Sequence, residues 1–203
     1  MFYEVEKADH GLGRDPFKAL LVPRPIGWVT TLDAAGKVNL APFSFFNAVA
    51  ERPPMVMFTS GGRKPDRSLK DSLANARATG EFVWNLATWE LRERMNLTAT
   101  HLPAGADEMA YAKLTRTPSR LVKPPRVAES PVQFECRVWK VIDLPSDPDE
   151  PNGMCIGFVA GVHIRDDLIV DGRVKIQNAR PIARLGYSEY AVIDEAFRMP
   201  FPD

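Results

Sequence analysis

None of the standard catalytic or nucleotide-cradling motifs occurs in this 203-residue chain. No GxGxxG follows a strand-like run, and neither GxxxxGK[ST] nor a GxSxG elbow is present, which removes the usual dinucleotide, P-loop and serine-hydrolase readings. The three histidines, His10, His101 and His163, are far apart and share no metal-ligand spacing with one another or with cysteine. Cysteine itself is scarce. Cys136 and Cys155 sit in apolar, strand-like stretches without CxxC spacing, which suits core thiols better than a redox or metal pair. An excess of one charge is missing too: 26 Lys and Arg balance 26 Asp and Glu, so no global field draws in nucleic acid or an anionic membrane. No apolar run approaches the roughly 20 residues needed to span a bilayer. Met1–Lys7 lacks the layout of a secretion signal. The expectation is a cytoplasmic protein with no nucleic-acid or membrane partner.

What is present is mostly strand. The length favours one domain over residues 1–203, with residues 1–22 as a weakly patterned lead-in. Ile26–Leu32 is β-branched, aromatic or Gly; Asp33–Lys37 reads as a hairpin connection with Gly36 free for positive φ, and Val38–Ala41 returns as the partner until Pro42 ends the pairing. Met55–Thr59 reads as a buried strand. A helix then follows, capped by Asp66 or Asp71, with Leu69, Leu73 and Ala76 at helical spacing and Gly80 as its stop. Phe82–Leu86 returns to strand, Thr88–Leu97 is helical, and Thr98–Pro125 is polar and Pro-rich. Val132–Ile142 alternates cleanly: Val132, Phe134, Cys136 and Val138 on one face, Gln133, Glu135 and Arg137 on the other. After an acidic surface loop at Pro145–Gly153, Met154–Ile164 and Leu168–Val170 are the last core strands and Ile182–Tyr187 one closing strand. Successive strands without βαβ spacing favour an antiparallel barrel or sandwich over a Rossmann sheet.

The poverty of acid, base and nucleophile shifts the chemistry onto a cofactor, for which the protein supplies binding, orientation and electrostatics. A phosphate-bearing ring system needs hydroxyls, backbone N–H groups and a cation or two, with apolar walls. The chain offers Thr30, Thr31, Ser44, Asn47, Ser60, Arg63, Lys64, Lys70 and Ser72 for the first need and Trp28, Phe43, Phe45 and Phe46 for the second. Each also has a plain structural reading: the threonines as β-formers, the aromatics as core, Lys70 and Ser72 as an exposed first helical turn. His163, in an apolar strand, reads first as a hydrogen-bonded structural histidine. The arrangement favours the functional reading, because a basic loop runs into a helix N-terminus carrying a hydroxyl, a favourable anion site.

Arg24-Pro-Ile-Gly-Trp-Val-Thr-Thr31, Asn39-Leu-Ala-Pro-Phe-Ser-Phe-Phe46, Pro53-Pro54 and Lys70-Asp71-Ser72 with Asn75 resemble the flavin reductase-like, FMN-binding split-barrel family, close to flavoredoxin. Gly80–Asn85, Gly161-Val162-His163 and Arg184–Tyr187 are similar to its later strands, so the resemblance covers about 22–190. It implies a mainly β fold, a six-stranded antiparallel split β-barrel with a few short helices, forming a homodimer with FMN at the interface. It further implies that Thr30, Thr31, Leu32, Ala41, Ser44 and Asn47 contact the flavin, that Ser60, Arg63 (or Lys64), Lys70 and Ser72 lie near its phosphate, and that His163 and Tyr187 are on the substrate side; no metal is implied. The expected activity is hydride transfer from NADH or NADPH to FMN, then electrons to free flavin, a partner protein or a small acceptor. The alternatives are a flavoredoxin-like electron carrier that never meets NAD(P)H, and a non-enzymatic β-barrel binding module.

Overall fold

The structure is a computed structural model and describes residues 1–63, 70–100, 102 and 106–202. Seven strands form its main sheet: β1 (Gly27–Leu32), β2 (Val38–Phe43), β3 (Phe46–Glu51), β4 (Pro54–Gly61), β5 (Glu81–Asn85), β6 (Val132–Leu144) and β7 (Asn152–Ile164). Their order is β2-β1-β5-β6-β7-β4-β3, with every pairing antiparallel. The two edge strands, β2 and β3, are consecutive in the chain and meet at the Ser44-Phe45 corner, where Phe45 O accepts from Thr59 N at 2.8 Å. The sheet therefore curls into a barrel that is split along one seam.

Seven strands stand where six were expected. The additional one is β3, whose residues after Phe46 are all exposed, so it carries no apolar alternation to announce it. Proline 42 does not end β2. It pairs with Trp28, and Phe43 pairs with Gly27, because an edge position tolerates a residue with no N–H to donate. The β1–β2 hairpin does turn at Gly36, with φ 80°.

Two apolar clusters sit on opposite faces of the sheet. Inside, Val29, Phe46, Val56, Phe58, Phe82, Trp84, Cys136 and Cys155 pack together, with Phe46 stacked on Trp84 at 5.3 Å. Outside, Trp28 and Leu40 are covered by Leu91, Met95, Met109 and Val127, with Trp28 Nε1 donating to Thr98 Oγ1. Trp28 and Phe46 are thus core, 0 % and 7 % exposed, and leave only the half-buried Phe43 and Phe45 as candidate ligand walls.

Helix α1 (Phe17–Leu20) lies in the lead-in, and α2 (Asp71–Thr79) packs across the barrel. The α2 helix stops at Gly80, φ 73°, as its sequence indicates. Its N-cap is Lys70, so Asp71 is the first helical residue rather than the cap; Asp66 and Leu69 lie outside the described residues. The stretch after Thr88 is helical only at α3 (Arg92–Leu97), and α4 (Glu108–Tyr111) breaks the Pro-rich passage. Leu168–Val170 is no core strand: Leu168 is buried in a 3-10 turn, and Ile169–Val170 forms an exposed two-residue arm paired with Arg173–Val174. The closing strand is shorter than expected, Ile182–Arg184, because Tyr187 takes positive φ and turns the chain back to Tyr190–Val192.

Candidate functional site

Thr30 and Thr31 are neighbours in β1 and so point to opposite faces. Thr31 faces α2, and its hydroxyl accepts from Asn75 Nδ2 at 3.1 Å. In the second pair of the hairpin, Asn39 sits opposite Thr31 and donates from Nδ2 to Ser72 Oγ at 2.8 Å. These two amide–hydroxyl bonds fasten the first turns of α2 to β1 and β2. Thr31, Ser72 and Asn75 are buried. Buried polar groups at a helix start have to be satisfied, and here they satisfy one another.

Lys70 completes this end. Its backbone is extended, and its own side chain does not cap the helix. Its ammonium is half-buried. Burial, and then the neighbouring Lys18, lower its pKa from the ordinary lysine range. A partly desolvated cation whose influential neighbour is another cation, at a helix N-terminus, concentrates positive potential that an anion would relieve. Ser60 is buried in β4 and pairs with Gly153, on which Leu73 of α2 packs, so register places it beside the same turn.

The remaining expected residues are spread along the seam. Ala41 and Ser44 are half-buried at the end of β2 and the corner, and Asn47 is exposed in β3 with its Oδ1 accepting from Ala48 N. Leu32 is half-buried at the end of β1, opposite Val38. Arg63 is exposed and reaches to Pro148 O at 3.2 Å; Lys64 lies outside the described residues.

Thr30 is not brought to α2. Its hydroxyl, fully buried on the other face, accepts from Asn85 Nδ2 at 3.0 Å. That contact begins a polar belt invisible to motif reading. Asn85 Oδ1 accepts from Val127 N, Val127 O accepts from Gln133 Nε2, and Gln133 Oε1 accepts from Arg126 Nη1. Next to it, the Glu135 carboxylate, 0 % exposed, accepts from Arg120 N at 2.8 Å and Leu121 N at 2.6 Å and contacts His163 Nε2 at 2.5 Å. The belt clamps the segment 118–130 onto the outer face. His163 is therefore a hydrogen-bonded histidine here. Tyr187 is exposed in its turn, with the Arg14 guanidinium 5.6 Å from the ring. No described contact joins Tyr187 to His163.

Asn39 and Glu135 are the two residues of this region to which the sequence assigns no role, although Asn39 heads one of the family-like motifs. Asn39 had a signal, since it shares a sheet face with Ala41 and Thr31; Glu135 had only its place on the polar side of a strand.

The family described as "Flavin reductase like domain" matches residues 19–176. An uncharacterised protein of Halalkalibacterium halodurans is 39% identical over 183 residues, covering 90% of this chain and 87% of that one. Among solved structures, nitrilotriacetate monooxygenase component B from Bacillus cereus superposes with a TM-score of 0.86 at 31% identity, covering 98% of both chains. The 2-nitrobenzoate 2-nitroreductase of Pseudomonas fluorescens gives 0.84 at 26%, covering 100% of this chain and 96% of that one.

Proposed function

The chain belongs to the flavin reductase-like family, and on that footing we propose that it binds FMN and acts as an NADH- or NADPH-dependent oxidoreductase. The observation that carries the assignment is the start of α2: a half-buried Lys70 at the helix N-terminus with Lys18 nearby. Those groups fit a phosphate. Lys70, Lys18 and the first N–H groups of α2 would neutralise it, and Ser72 and Ser60 would add hydroxyls. Thr31, Ala41, Ser44 and Asn47 would line the ribityl chain and ring edge along the seam, while Thr30 supports β1 from behind and Leu32 closes its end. Bound there, FMN would supply the chemistry, taking a proton and two electrons as hydride from the nicotinamide and passing the electrons to free flavin, a partner protein or a small acceptor. The chain's task is to hold the anion, exclude water behind Phe43 and Phe45, and present donors to the ring.

Freshly purified protein, supplemented with FMN, is expected to show a bound-flavin absorption spectrum that bleaches when NADPH or NADH is added without oxygen. A flavin band that neither nucleotide bleaches would leave the carrier reading instead. Protein that takes up no FMN would sink both and leave a binding module of another kind.

The second copy of this chain is the occupant we assign to the exposed side of β3. Val49 is 47% exposed, and Val162 of β7, 52% exposed, lines an apolar hollow of about 300 Å³ together with Ala48, Ala50, Met55 and Val159. An unpaired edge strand over an apolar hollow is a surface that monomers cover. Sedimentation at micromolar concentration is expected to return twice the chain mass, and Val162→Asp to return the single mass. A monomeric wild type would exclude the assignment.

A further inference from the structure

A second concavity, of about 500 Å³, opens on the outer face of β6 and β7 and is lined in part by Arg120, Arg126, Gln133, Glu135, His163 and Arg165. It shares the sheet face of Thr30, through the pairing Thr30–Val83–Glu135, whereas Thr31 and α2 lie on the other face.

Its charges are unequally spent. Glu135 is closed by two backbone N–H groups and His163, and Asp167 is closed by both Nε and Nη2 of Arg165. Neither carboxylate makes a contact ion pair with Arg120 or Arg126, although Glu135 steadies the Arg126 charge from farther off. A guanidinium carries five N–H donors. Arg126 uses Nε and Nη2 on Pro118 O and Nη1 on Gln133 Oε1, which fixes its plane and leaves donors unspent. The Arg120 side chain is exposed and has no hydrogen-bond partner among the described residues. Burial, eased by Glu135 and reinforced by Arg120, lowers the Arg126 pKa, so the two guanidiniums feel one another across the cavity. Two like charges held at one opening, one of them oriented by the backbone, are arranged for an oxyanion that can accept from both. A carboxylate fills one fork; a phosphoryl group has three oxygens and can bridge two.

We propose that this cavity is a phosphoryl-binding site in which Arg126, held rigid by Pro118 and Gln133, and the free Arg120 grip the phosphate of a nucleotide or other phosphomonoester. Leu121, which packs over Gly161, gives its wall an apolar part against which the body of such a ligand can lie. Two sources share this chemistry: the 2′-phosphate that separates NADPH from NADH, which would deepen the oxidoreductase reading above and rest on it, and a free phosphomonoester, which would not.

The test is calorimetric titration of the full chain, saturated with FMN, with adenosine, 5′-AMP and 2′,5′-ADP. At least tenfold tighter binding of a phosphorylated probe than of adenosine is expected, together with a loss of about tenfold in Arg120→Gln, a surface change that leaves the melting temperature unaltered. A tenfold preference for 2′,5′-ADP over 5′-AMP identifies the NADPH-type phosphate, and equal binding identifies a general phosphomonoester; either supports the site. The same titrations on Lys70→Ala separate it from the α2 anchor, since binding here survives that change. Adenosine binding as well as the phosphates, or phosphate binding abolished by Lys70→Ala and untouched by Arg120→Gln, would overturn the proposal.

Discussion

Glu135→Ala is expected to lower stability by about 3 kcal/mol, measured by urea denaturation at neutral pH. Removing one member of a buried ion–hydrogen-bond set costs about 3–5 kcal/mol, because the groups left behind lose their partner. Here those groups are the N–H of Arg120, the N–H of Leu121 and the His163 ring. Arg120 and Leu121 stand near the surface, where water can replace part of the loss, which puts the value at the low end. Glu135→Gln keeps the shape and an acceptor but not the charge. It is expected to cost about 1 kcal/mol, the difference between a charged and a neutral hydrogen-bond set.

Acid should narrow the gap between the parent and Glu135→Gln. Burial pushes the Glu135 carboxyl up, but the N–H of Arg120, the His163 ring and the N–H of Leu121 together outweigh it and hold the carboxyl below its ordinary range. A carboxyl depressed in the folded state contributes stability above its unfolded value, about 4.3, and loses it as pH falls through the folded value. The parent should therefore lose stability more steeply than Glu135→Gln below about pH 4. If the two curves run parallel from pH 7 to pH 3, the carboxylate does not hold the 118–130 segment as described.

Lys70→Ala is expected to weaken FMN binding by roughly ten- to a hundredfold, the value of one charge-assisted contact to a phosphate, about 1.5–3 kcal/mol. The chain without flavin should not suffer equally. Lys70 is held below the ordinary lysine range by burial and by Lys18, so its charge is a cost to the unliganded fold. Because the unfolded chain binds that proton more readily, stability rises with pH between the two values. Weaker flavin binding with undiminished stability is the signature of a residue kept for an anion. An unchanged FMN titration would remove Lys70 from the phosphate site, and a collapse in stability would make it a structural residue.

Much of the barrel is legible from local chemistry. The β1–β2 hairpin can be placed by Gly36, the end of α2 by Gly80, and β6 by its alternation, because each is decided by neighbours in the chain. Strand β3 is not, since it is exposed after Phe46 and nothing in Asn47–Glu51 alternates. The site divides in the same way. For the proposed anion site, Lys70 and Ser72 are marked by their place at a helix start. The difference between Thr31, which meets α2, and Thr30, which meets Asn85, depends on which face of β1 each helix and loop covers. Glu135 is hidden for a related reason: alternation marks a polar face, and water and a clamped loop look alike from the strand. His163 reads correctly as a bonded histidine, but its partner is a residue of another strand, 28 positions away.

The two thiols in the barrel interior have a consequence of their own. Burial pushes Cys155 up to about 12 and Cys136 higher still. The thiolate is the form that oxidants and disulfides attack, and at neutral pH Cys155 would hold about one part in 10⁵ in that form. Both sulfurs also lie behind the aromatic packing of the barrel, out of reach of solvent. The chain's own sulfur is thus insulated from outside oxidants, and the wall doing the insulating is the hydrophobic core itself.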